Sequence, residues 1–286
     1  MRSCGYRAVS FADGVVGVEW AGAAARQSVD VAFARLPDDD DRLPELTLRV
    51  GSASDPSLLT LFAGPRCLYR GTSIGACAHL LVQTSLDSLI ARSSRGIVVH
   101  AALLGREGAG VLLPGPTGSG KTMLCAWLAR RGLAYLSDEA AYLPADATYL
   151  PTDRSSADGF ARPLCFKGPW AEPLGLPGED VHAEWIADGV SLVSPHQLNA
   201  TPAADAVVPK LIVFPTFRHG ADLAITRLTP ARTAVRLIET VANWRNLRDH
   251  GVGQVTSLAR AVPAYQLTYG AFAQLDPLWS IVAAVH

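Results

Sequence analysis

The sequence predicts an α/β fold with a mixed sheet, preceded by a small β-rich unit, and three observations carry this prediction. A glycine-rich loop, Gly115–Thr122, stands between a short apolar run and a helix-favouring segment. Another apolar run precedes the first across a tight turn, which is typical of a β-hairpin. Residues 1 to about 72 contain short β-like runs separated by turn residues, so the predicted domain boundary divides residues 1–72 from residues 73–286.

Composition limits the class of protein. The chain has 286 residues, of which 49% are hydrophobic and 18% charged, so it can bury a sizeable core. A formal net charge of −1 gives no basic field, so neither nucleic acid nor a membrane is expected as a partner. The five cysteines are scattered without C-x-x-C spacing, which indicates reduced thiols. We therefore expect a cytoplasmic protein, and its composition leaves a homo-oligomer open.

Apolar and turn-forming segments alternate in the N-terminal unit. Val15–Trp20 and Val29–Phe33 are predicted strands. The acidic run Asp38–Asp41 lies between two prolines, and adjacent carboxylates of this kind are typical of a solvated turn more than of a metal site. Apolar residues recur at helical spacing over Ile74–Arg92, which predicts a helix that joins this unit to the rest of the chain.

The glycine-rich loop matches G-x-x-x-x-G-K-[ST] at every fixed position, in the strand-loop-helix context of a phosphate-binding loop. Glycines let successive backbone N–H groups turn inward, and the helix directs its positive dipole end at an anion. Lys121, one of only three lysines in the chain, is expected to contact the β- and γ-phosphates, and the Thr122 hydroxyl to take one Mg²⁺ position. The predicted nucleotide-binding residues are Gly115, Pro116, Thr117, Gly118, Ser119, Gly120, Lys121 and Thr122.

The strands around the loop indicate which kind of phosphate-binding-loop fold this is. Gly96–Leu104 and Val111–Pro114 are separated by the turn-forming segment Arg106–Gly110, so the strand before the loop is one arm of a hairpin. Most phosphate-binding loops follow a lone strand of a parallel sheet, and an antiparallel neighbour is therefore informative.

A pair of acids follows the helix after the loop. The short strand Leu133–Ser137 ends in Asp138 and Glu139, and Asp138 lies 17 positions after Lys121. That spacing allows one helix and a returning strand, which a right-handed crossover would place close beside the first strand. We therefore expect both acids at the carboxyl edge of the sheet, close to the bound phosphates.

Strands and then helices follow the acids. Predicted strands include Pro163–Lys167, Lys210–Pro215 and Ala264–Tyr269, and predicted helices lie within Pro230–Asn246, Val252–Ala261 and Ala271–Val285. Arg162, Lys167 and Arg218 are candidates for clamping the phosphates or the substrate. The alternative for each of them is an exposed cation at a strand end.

These residues resemble a known family. His100, the hairpin, the loop and the strand ending Ser137-Asp138-Glu139 are similar to the catalytic domain of HPr serine kinase/phosphorylase and its relatives, which include lasso-peptide kinases. The similarity covers residues 96–145, and more loosely residues 162–167 and 214–218. It implies a kinase core of the phosphoenolpyruvate carboxykinase type, ATP and Mg²⁺ as cofactors, and a peptide or small protein with a Ser/Thr hydroxyl as the acceptor.

The resemblance also implies roles for single residues. Asp138 is the general base, Glu139 helps to hold Mg²⁺, and His100 neighbours the base, so the implied catalytic residues are Asp138, His100 and Lys121. Thr122 and Glu139 replace the Ser and Asp that are usual in the family. The glycine- and arginine-rich signature that bifunctional members carry downstream of the acids is not found, so the resemblance does not extend to HPr as substrate or to phosphorolysis.

The residues themselves leave alternatives open. Asp138 could be a ligand of Mg²⁺ or water in an ATPase whose Glu139 activates a water. His100 could be a core histidine. A kinase for a small-molecule alcohol and a nucleotide-binding protein without turnover are further readings. The kinase reading is favoured over the ATPase because P-loop ATPases usually insert more elements before the strand that carries their acids.

Overall fold

The structure is a computed structural model, and it describes residues 4–39, 41–52, 58–145, 156–176, 184–187, 189–198 and 206–285. The fold is α/β with mixed sheets. Its strands are β1 (Cys4–Phe11), β2 (Gly14–Ala21), β3 (Leu46–Ser52), β4 (Leu59–Ala63), β5 (Arg66–Gly71), β6 (Gly96–Arg106), β7 (Ala109–Pro114), β8 (Ala134–Ser137), β9 (Ala140–Pro144), β10 (Asp158–Gly159), β11 (Leu164–Lys167), β12 (Glu184–Ala187), β13 (Val190–Val193), β14 (Val208–Phe217), β15 (Ala224–Arg227) and β16 (Ala264–Tyr269). Its α-helices are α1 (Ala23–Phe33), α2 (Ile74–Arg92), α3 (Lys121–Arg130), α4 (Pro230–Ile238), α5 (Val252–Ala261) and α6 (Asp276–Ala283).

The chain divides into two compact units. The first comprises Met1–Ser93, Ala161–Gly168 and His182–Ser194, and the second comprises Ser94–Phe160, Pro169–Val181 and Pro195–His286. This division falls after α2, whereas the predicted boundary fell before it, at residue 72. Whether residues 73–286 act as one catalytic domain stays a prediction.

The first unit is built on a sheet in the order β1-β2-β3-β4-β5. β2 and β3 are parallel and are joined through α1, whereas the other neighbours pair antiparallel. α1 and α2 pack on each other and on this sheet. Strand residues such as Val18, Leu48 and Leu61 are fully buried. A second sheet, β11-β13-β12, belongs to the same unit and contacts α2 through β12.

The strand predicted at Val29–Phe33 is wrong, because these residues form the second half of α1. Gly22 ends β2 with a φ of 107°, and three alanines, which strongly favour helix, follow it. The buried residues of this helix recur at helical spacing, at Ala25, Ser28, Val29, Ala32 and Phe33. The β-branched valines favour a strand when taken alone, whereas the three alanines before them favour the helix that forms.

α2 has the predicted bounds. Ser73 caps it, since the Ser73 side chain accepts a hydrogen bond from the N–H of Ala76 at 3.1 Å. Within the described part of the chain, α2 is the one helix long and apolar enough to cross a membrane by length and composition alone. Core helices can meet the same criterion, and α2 buries residues such as Leu81 and Leu89 inside the first unit.

The second unit is built on a mixed sheet in the order β10-β9-β6-β7-β14-β16-β15, with β8 paired to β6 beside β9. β7, β14 and β16 are mutually parallel. β6 is antiparallel to β7, β8 and β9, and β15 is antiparallel to β16. α4 and α5 pack on each other and contribute to the buried cluster over this sheet, which includes Leu103, Ile212, Leu237 and Leu258.

The hairpin predicted before the phosphate-binding loop is confirmed. β6 and β7 pair antiparallel from Ala101 opposite Pro114 to Arg106 opposite Ala109. The turn residues Glu107 and Gly108 both have positive φ, at 52° and 81°. Turns of this kind match the natural twist of two antiparallel strands, which explains the short connection.

β7 pairs only with the second half of β6, and on the same edge the first half of β6 is bonded to the segment after α4. The carbonyl of Thr240, after α4, accepts a hydrogen bond from the N–H of His100 at 2.7 Å. The Asn243 side chain accepts from the N–H of Val98 and donates to the carbonyl of Gly96, each at 2.8 Å. These bonds replace a neighbouring strand and fix the backbone at His100.

The predicted place of the acid-bearing strand is partly wrong. β8 runs parallel to β7, but it pairs with the opposite edge of β6, so β6 lies between the two. The connection through α3 therefore passes over β6, whereas the predicted crossover joins two adjacent strands.

Most later elements agree with the predictions. α5 and β16 have the predicted bounds, and β11 and β14 lie where strands were expected. The helix predicted over Pro230–Asn246 ends at Ile238 in α4, and the one predicted over Ala271–Val285 begins as a short 3-10 turn before α6.

Candidate active site

The glycine-rich loop directly follows β7 and leads into α3. Gly118 and Gly120 have φ of 85° and 93°, a conformation that residues with a Cβ rarely adopt. The N–H of Leu124 donates to the carbonyl of Gly120 at 2.9 Å, which is the first backbone hydrogen bond of α3. The N–H groups of residues 121–123 therefore have no acceptor within the helix and are directed to its open end.

The loop is fastened to the ends of two neighbouring strands. The N–H of Phe217, at the end of β14, donates to the carbonyl of Ser119 at 3.0 Å. The hydroxyl of Tyr269, at the end of β16, lies 3.4 Å from the carbonyl of Gly120. Because the C=O and N–H of a trans peptide point in opposite directions, the N–H of Gly120 is turned away from Phe217.

Lys121 is the buried cation of the loop, with only 5% of its surface exposed. Its Nζ donates to the carbonyl of Gly115 at 2.7 Å and to the carbonyl of Pro116 at 3.0 Å. It also lies 3.0 Å from Nε2 of His100. These three contacts match the three donors of an ammonium, so the charge is held at the centre of the loop.

These contacts fit one tautomer of His100. Nε2 faces the Lys121 side chain, and an ammonium can only donate, so this contact suits an Nε2 that accepts. The proton is then on Nδ1, which lies 3.1 Å from the Glu139 carbonyl and 3.3 Å from Glu139 Oε1. In this tautomer the imidazole links the loop lysine to the acid segment.

Asp138 lies against the loop, as the sequence predicted. The Thr122 hydroxyl donates to Asp138 Oδ2 at 3.0 Å, and the Tyr135 hydroxyl donates to Oδ1 over a longer 3.3 Å. Asp138 is 1% exposed, and Tyr135 is equally buried. The contact joins the motif threonine to the first acid after β8.

Ser137 shapes the acid segment. Its hydroxyl accepts hydrogen bonds from the N–H groups of Glu139 and Ala140, both at 3.1 Å, and donates to the carbonyl of Phe160 at 3.0 Å. On β6, Ser137 lies opposite Leu103 and Ala140 lies opposite His100, so the register is the same directly before and directly after the two acids. The register shifts by one residue earlier in β8, between Leu103 and Leu104 of β6. The acids therefore interrupt the pairing with β6 without themselves shifting it.

The oxygen atoms at this place fit a magnesium ion. Thr122 and Asp138 supply a hydroxyl and a carboxylate, and the adjacent Glu139 side chain is 33% exposed. No cage of three or more His, Cys, Asp or Glu side chains occurs within the described ranges. Mg²⁺ is usually held by one or two carboxylates together with the phosphates of its substrate, so it needs no such cage.

Cys125 lies behind the acids on α3. Its thiol is fully buried and lies 3.7 Å from the carbonyl of Ser137. Burial raises the pKa of this thiol well above its ordinary value, and the negative charge of Asp138 adds to the effect. The thiol therefore stays protonated at neutral pH and is not a nucleophile of this site.

The three predicted clamp residues lie in different parts of the molecule. Arg162 and Lys167 belong to the first unit, where Arg162 is 5% exposed and Lys167 is an exposed residue at the end of β11. Arg218 belongs to the second unit, is exposed, and directly follows β14 at the edge that carries the loop.

The sequence alone does not identify four residues of this site. Ser137 stands only as the end of the strand that carries the family resemblance, Tyr135 and Tyr269 only as strand residues, and Phe217 only as part of the looser family match. A signal existed for Ser137, since a serine directly before two acids can bond the N–H two residues ahead. Nothing in the sequence alone indicates that Tyr135 reaches Asp138.

A hollow of about 850 Å³ lies in the first unit, over one end of its larger sheet. Its lining includes Tyr6, Trp20, Arg49 and Phe62, and none of the predicted site residues.

No protein-family model matches the chain, and no curated protein is similar to it in sequence.

Proposed function

We propose that this protein is an ATP-dependent kinase that transfers the γ-phosphate to a serine-type hydroxyl of a peptide or small protein. One observation carries the proposal: the Thr122 hydroxyl of the phosphate-binding loop is bonded to the Asp138 carboxylate at 3.0 Å. A metal-binding position, a phosphate-binding loop and a candidate base thus share one place.

The fold supports a kinase core of the HPr kinase and phosphoenolpyruvate carboxykinase type. In that proposal the antiparallel strand β6, which lies between β7 and β8, distinguishes this core from phosphate-binding-loop folds with a purely parallel sheet. The resemblance noted for His100, the loop and the Ser137–Glu139 segment points to the same class.

The loop and Lys121 bind the triphosphate. The N–H groups of residues 121–123 and the inward-turned N–H of Gly120 provide donors, and Lys121 provides the charge. Phosphoryl transfer depends mainly on positioning and on neutralising charge, so a rigid, buried cation suits it.

Thr122 and Glu139, with Asp138 nearby, would hold Mg²⁺. When bound, the ion neutralises charge that develops on the phosphate oxygens. His100 contacts both Lys121 and Glu139 and holds them in fixed relation, which is a positioning role.

Asp138 is the general base. The acceptor oxygen forms a bond to the γ-phosphorus as its O–H bond breaks, and the proton passes to the Asp138 carboxylate. The bond between the γ-phosphorus and the bridging oxygen breaks at the same time, and ADP leaves with that electron pair. Tyr135 orients the carboxylate from its buried side.

The test is Asp138→Asn, which keeps the size of the side chain and its contact with Thr122 but removes the base. Mg-ATP binding by calorimetry should persist, and transfer of labelled γ-phosphate should fall by about a hundredfold or more. The acceptors are the peptide or protein encoded beside this gene, and free serine. Asp276→Asn, an exposed carboxylate at the start of α6, is the matched control and should transfer normally. Unchanged transfer by Asp138→Asn to a verified acceptor would remove Asp138 from this role.

A P-loop ATPase is the second candidate, because Glu139 follows Asp138 and is open enough to reach a water. The two candidates differ in what they require. A kinase consumes ATP only when an acceptor is present, whereas fast hydrolysis without an acceptor, lost in Glu139→Gln, would favour the ATPase. Phosphorylation of free serine but of no peptide would indicate a small-molecule kinase.

A further inference from the structure

We propose that the ring of Phe217 is the platform on which the base of the bound nucleotide stacks. The inference rests on the proposed function, because it requires a nucleotide in the loop. Phe217 is the last residue of β14 and is 42% exposed, although phenylalanine is a large apolar side chain. Its own N–H is bonded to the loop at Ser119, so the exposed ring stands directly beside the phosphate-binding residues.

The order of the sheet gives the loop two different flanks. The loop follows β7, and β14 and β16 run parallel to β7 on one side, with Phe217 and Tyr269 at their carboxyl ends. The acids follow β8, which lies on the other side, beyond β6. In open α/β sheets, ligands bind outside the carboxyl ends of parallel strands.

A bound triphosphate must run from one flank to the other. Its γ-phosphate is required at the acids, where Thr122 and Asp138 meet. The α-phosphate and the nucleoside then extend towards the opposite flank, where β14 ends. The exposed aromatic ring at that end is Phe217.

The ring is held in place before any ligand binds. It packs edge-on against Tyr269, with centroids 5.3 Å apart and an angle of 61° between the planes. Tyr269 is fully buried and packs in turn on Phe272 at 5.8 Å. Gly120 approaches the base of this side chain closely, because an added Cβ there would lie 2.9 Å from Phe217 Cβ. A fixed, half-exposed ring suits stacking, because little order is lost when a base covers it.

The chemistry of the ligand follows from the ring. A phenyl face offers contact area and no hydrogen bonds, so it recognises the flat face of a base and not its edge. The site therefore takes a nucleoside triphosphate with a large planar base, and the phosphate chain alone does not use this ring.

The experiment compares two ligands by calorimetry, Mg-ATP and Mg-tripolyphosphate, which lacks the base. Phe217→Ala should bind ATP about tenfold to a hundredfold more weakly, as expected for one lost base-stacking contact, and should bind tripolyphosphate like the wild type. Phe217→Trp should restore ATP affinity. Val235→Ala, a change at another exposed apolar residue of the same unit, should alter neither affinity.

The outcomes separate this inference from the proposed function. Wild-type ATP affinity in Phe217→Ala overturns the platform and leaves the kinase proposal standing. Equal weakening of ATP and tripolyphosphate also overturns it, since the residue would then act through the loop. A raised KM for the acceptor with unchanged ATP affinity assigns the ring to the acceptor and overturns it as well. Lys121→Ala should weaken both ligands, and a wild-type protein that binds neither ligand contradicts the nucleotide site itself.

Discussion

At the scale of single residues, the site depends on polar groups whose partners are fixed. Lys121 donates to two loop carbonyls and to His100, and Ser137 makes three hydrogen bonds from a fully buried position. Such groups are costly when a partner is lost, because a buried donor or acceptor left unpaired keeps its full desolvation penalty.

Ser137→Ala tests this dependence. The change leaves the N–H groups of Glu139 and Ala140 and the carbonyl of Phe160 without their partner, so unfolding in urea should show a loss of about 1–3 kcal/mol. Because the acid segment loosens, kcat for transfer should fall more than the affinity for Mg-ATP. Ser280→Ala, at a serine on the exposed side of α6 that bonds its own helix, should cost less than about 0.5 kcal/mol. Equal losses in the two variants would show that the buried hydrogen bonds of Ser137 stabilise the fold no more than the bond of an exposed serine.

At this scale, the sequence predicts those residues of the site that belong to a recognisable motif. The loop, Lys121, Thr122 and the acid pair follow from residue types at fixed spacing. The bond of His100 to Lys121 and the contact of Tyr135 with Asp138 depend on which strands are neighbours. Spacing along the chain does not contain that information.

At the scale of elements, the turn from β7 into α3 demands two glycines for different reasons. Both Gly118 and Gly120 have positive φ, so alanine is strained at either. An added Cβ at Gly118 meets nothing within 4 Å, whereas at Gly120 it would lie 2.9 Å from both Phe217 Cβ and the Tyr269 hydroxyl.

The pair Gly118→Ala and Gly120→Ala separates backbone strain from crowding. Gly118→Ala should lose about 1 kcal/mol of stability through strain alone. Gly120→Ala should lose clearly more, and it should also weaken ATP binding because the loop must move away from β14 and β16. Thermal unfolding and calorimetry of both variants provide the measurement. Equal effects of the two changes would show that the strand ends do not constrain the loop.

Elements were predicted well where a local pattern determines them. The hairpin at Glu107-Gly108, α2, α5 and β16 each have their own turn or periodicity. α1 is not predicted by the local preference of its valines, because the alanines before them decide in favour of helix. β8 was misplaced because the minimal crossover argument treats strands in pairs, whereas β6 is long enough to bind β7 on one edge and both β8 and β9 on the other.

At the scale of the whole molecule, the exposure of each cysteine shows whether it lies on the surface or in the core of its unit. Cys4 and Cys67 are exposed, whereas Cys77 and Cys125 are buried in the first and second unit respectively. Burial raises the pKa of Cys77 to about 11 and raises that of Cys125 as well. A raised pKa leaves less thiolate at a given pH, and only the thiolate reacts quickly.

Alkylation with iodoacetamide at pH 8 should therefore label Cys4 and Cys67 first. Cys77 should react at least about a hundredfold more slowly, both because so little of it is ionised and because it is covered. Peptide mapping by mass spectrometry measures each site, and unfolding in urea should abolish the difference. Rapid labelling of Cys125 in the folded protein would mean that the packing between α3 and β8 opens readily.

The fastening of the loop has a consequence for the entropy of binding. Phe217 and Tyr269 hold the carbonyl side of the loop, so its N–H groups keep their directions before an anion arrives. Ordering a flexible backbone costs about 1–2 kcal/mol per residue. If the eight loop residues were disordered before binding, this entropy cost would offset most of the free energy of their contacts with the anion. Here the ordering takes place when the chain folds. Anion binding then requires no further ordering of the loop backbone.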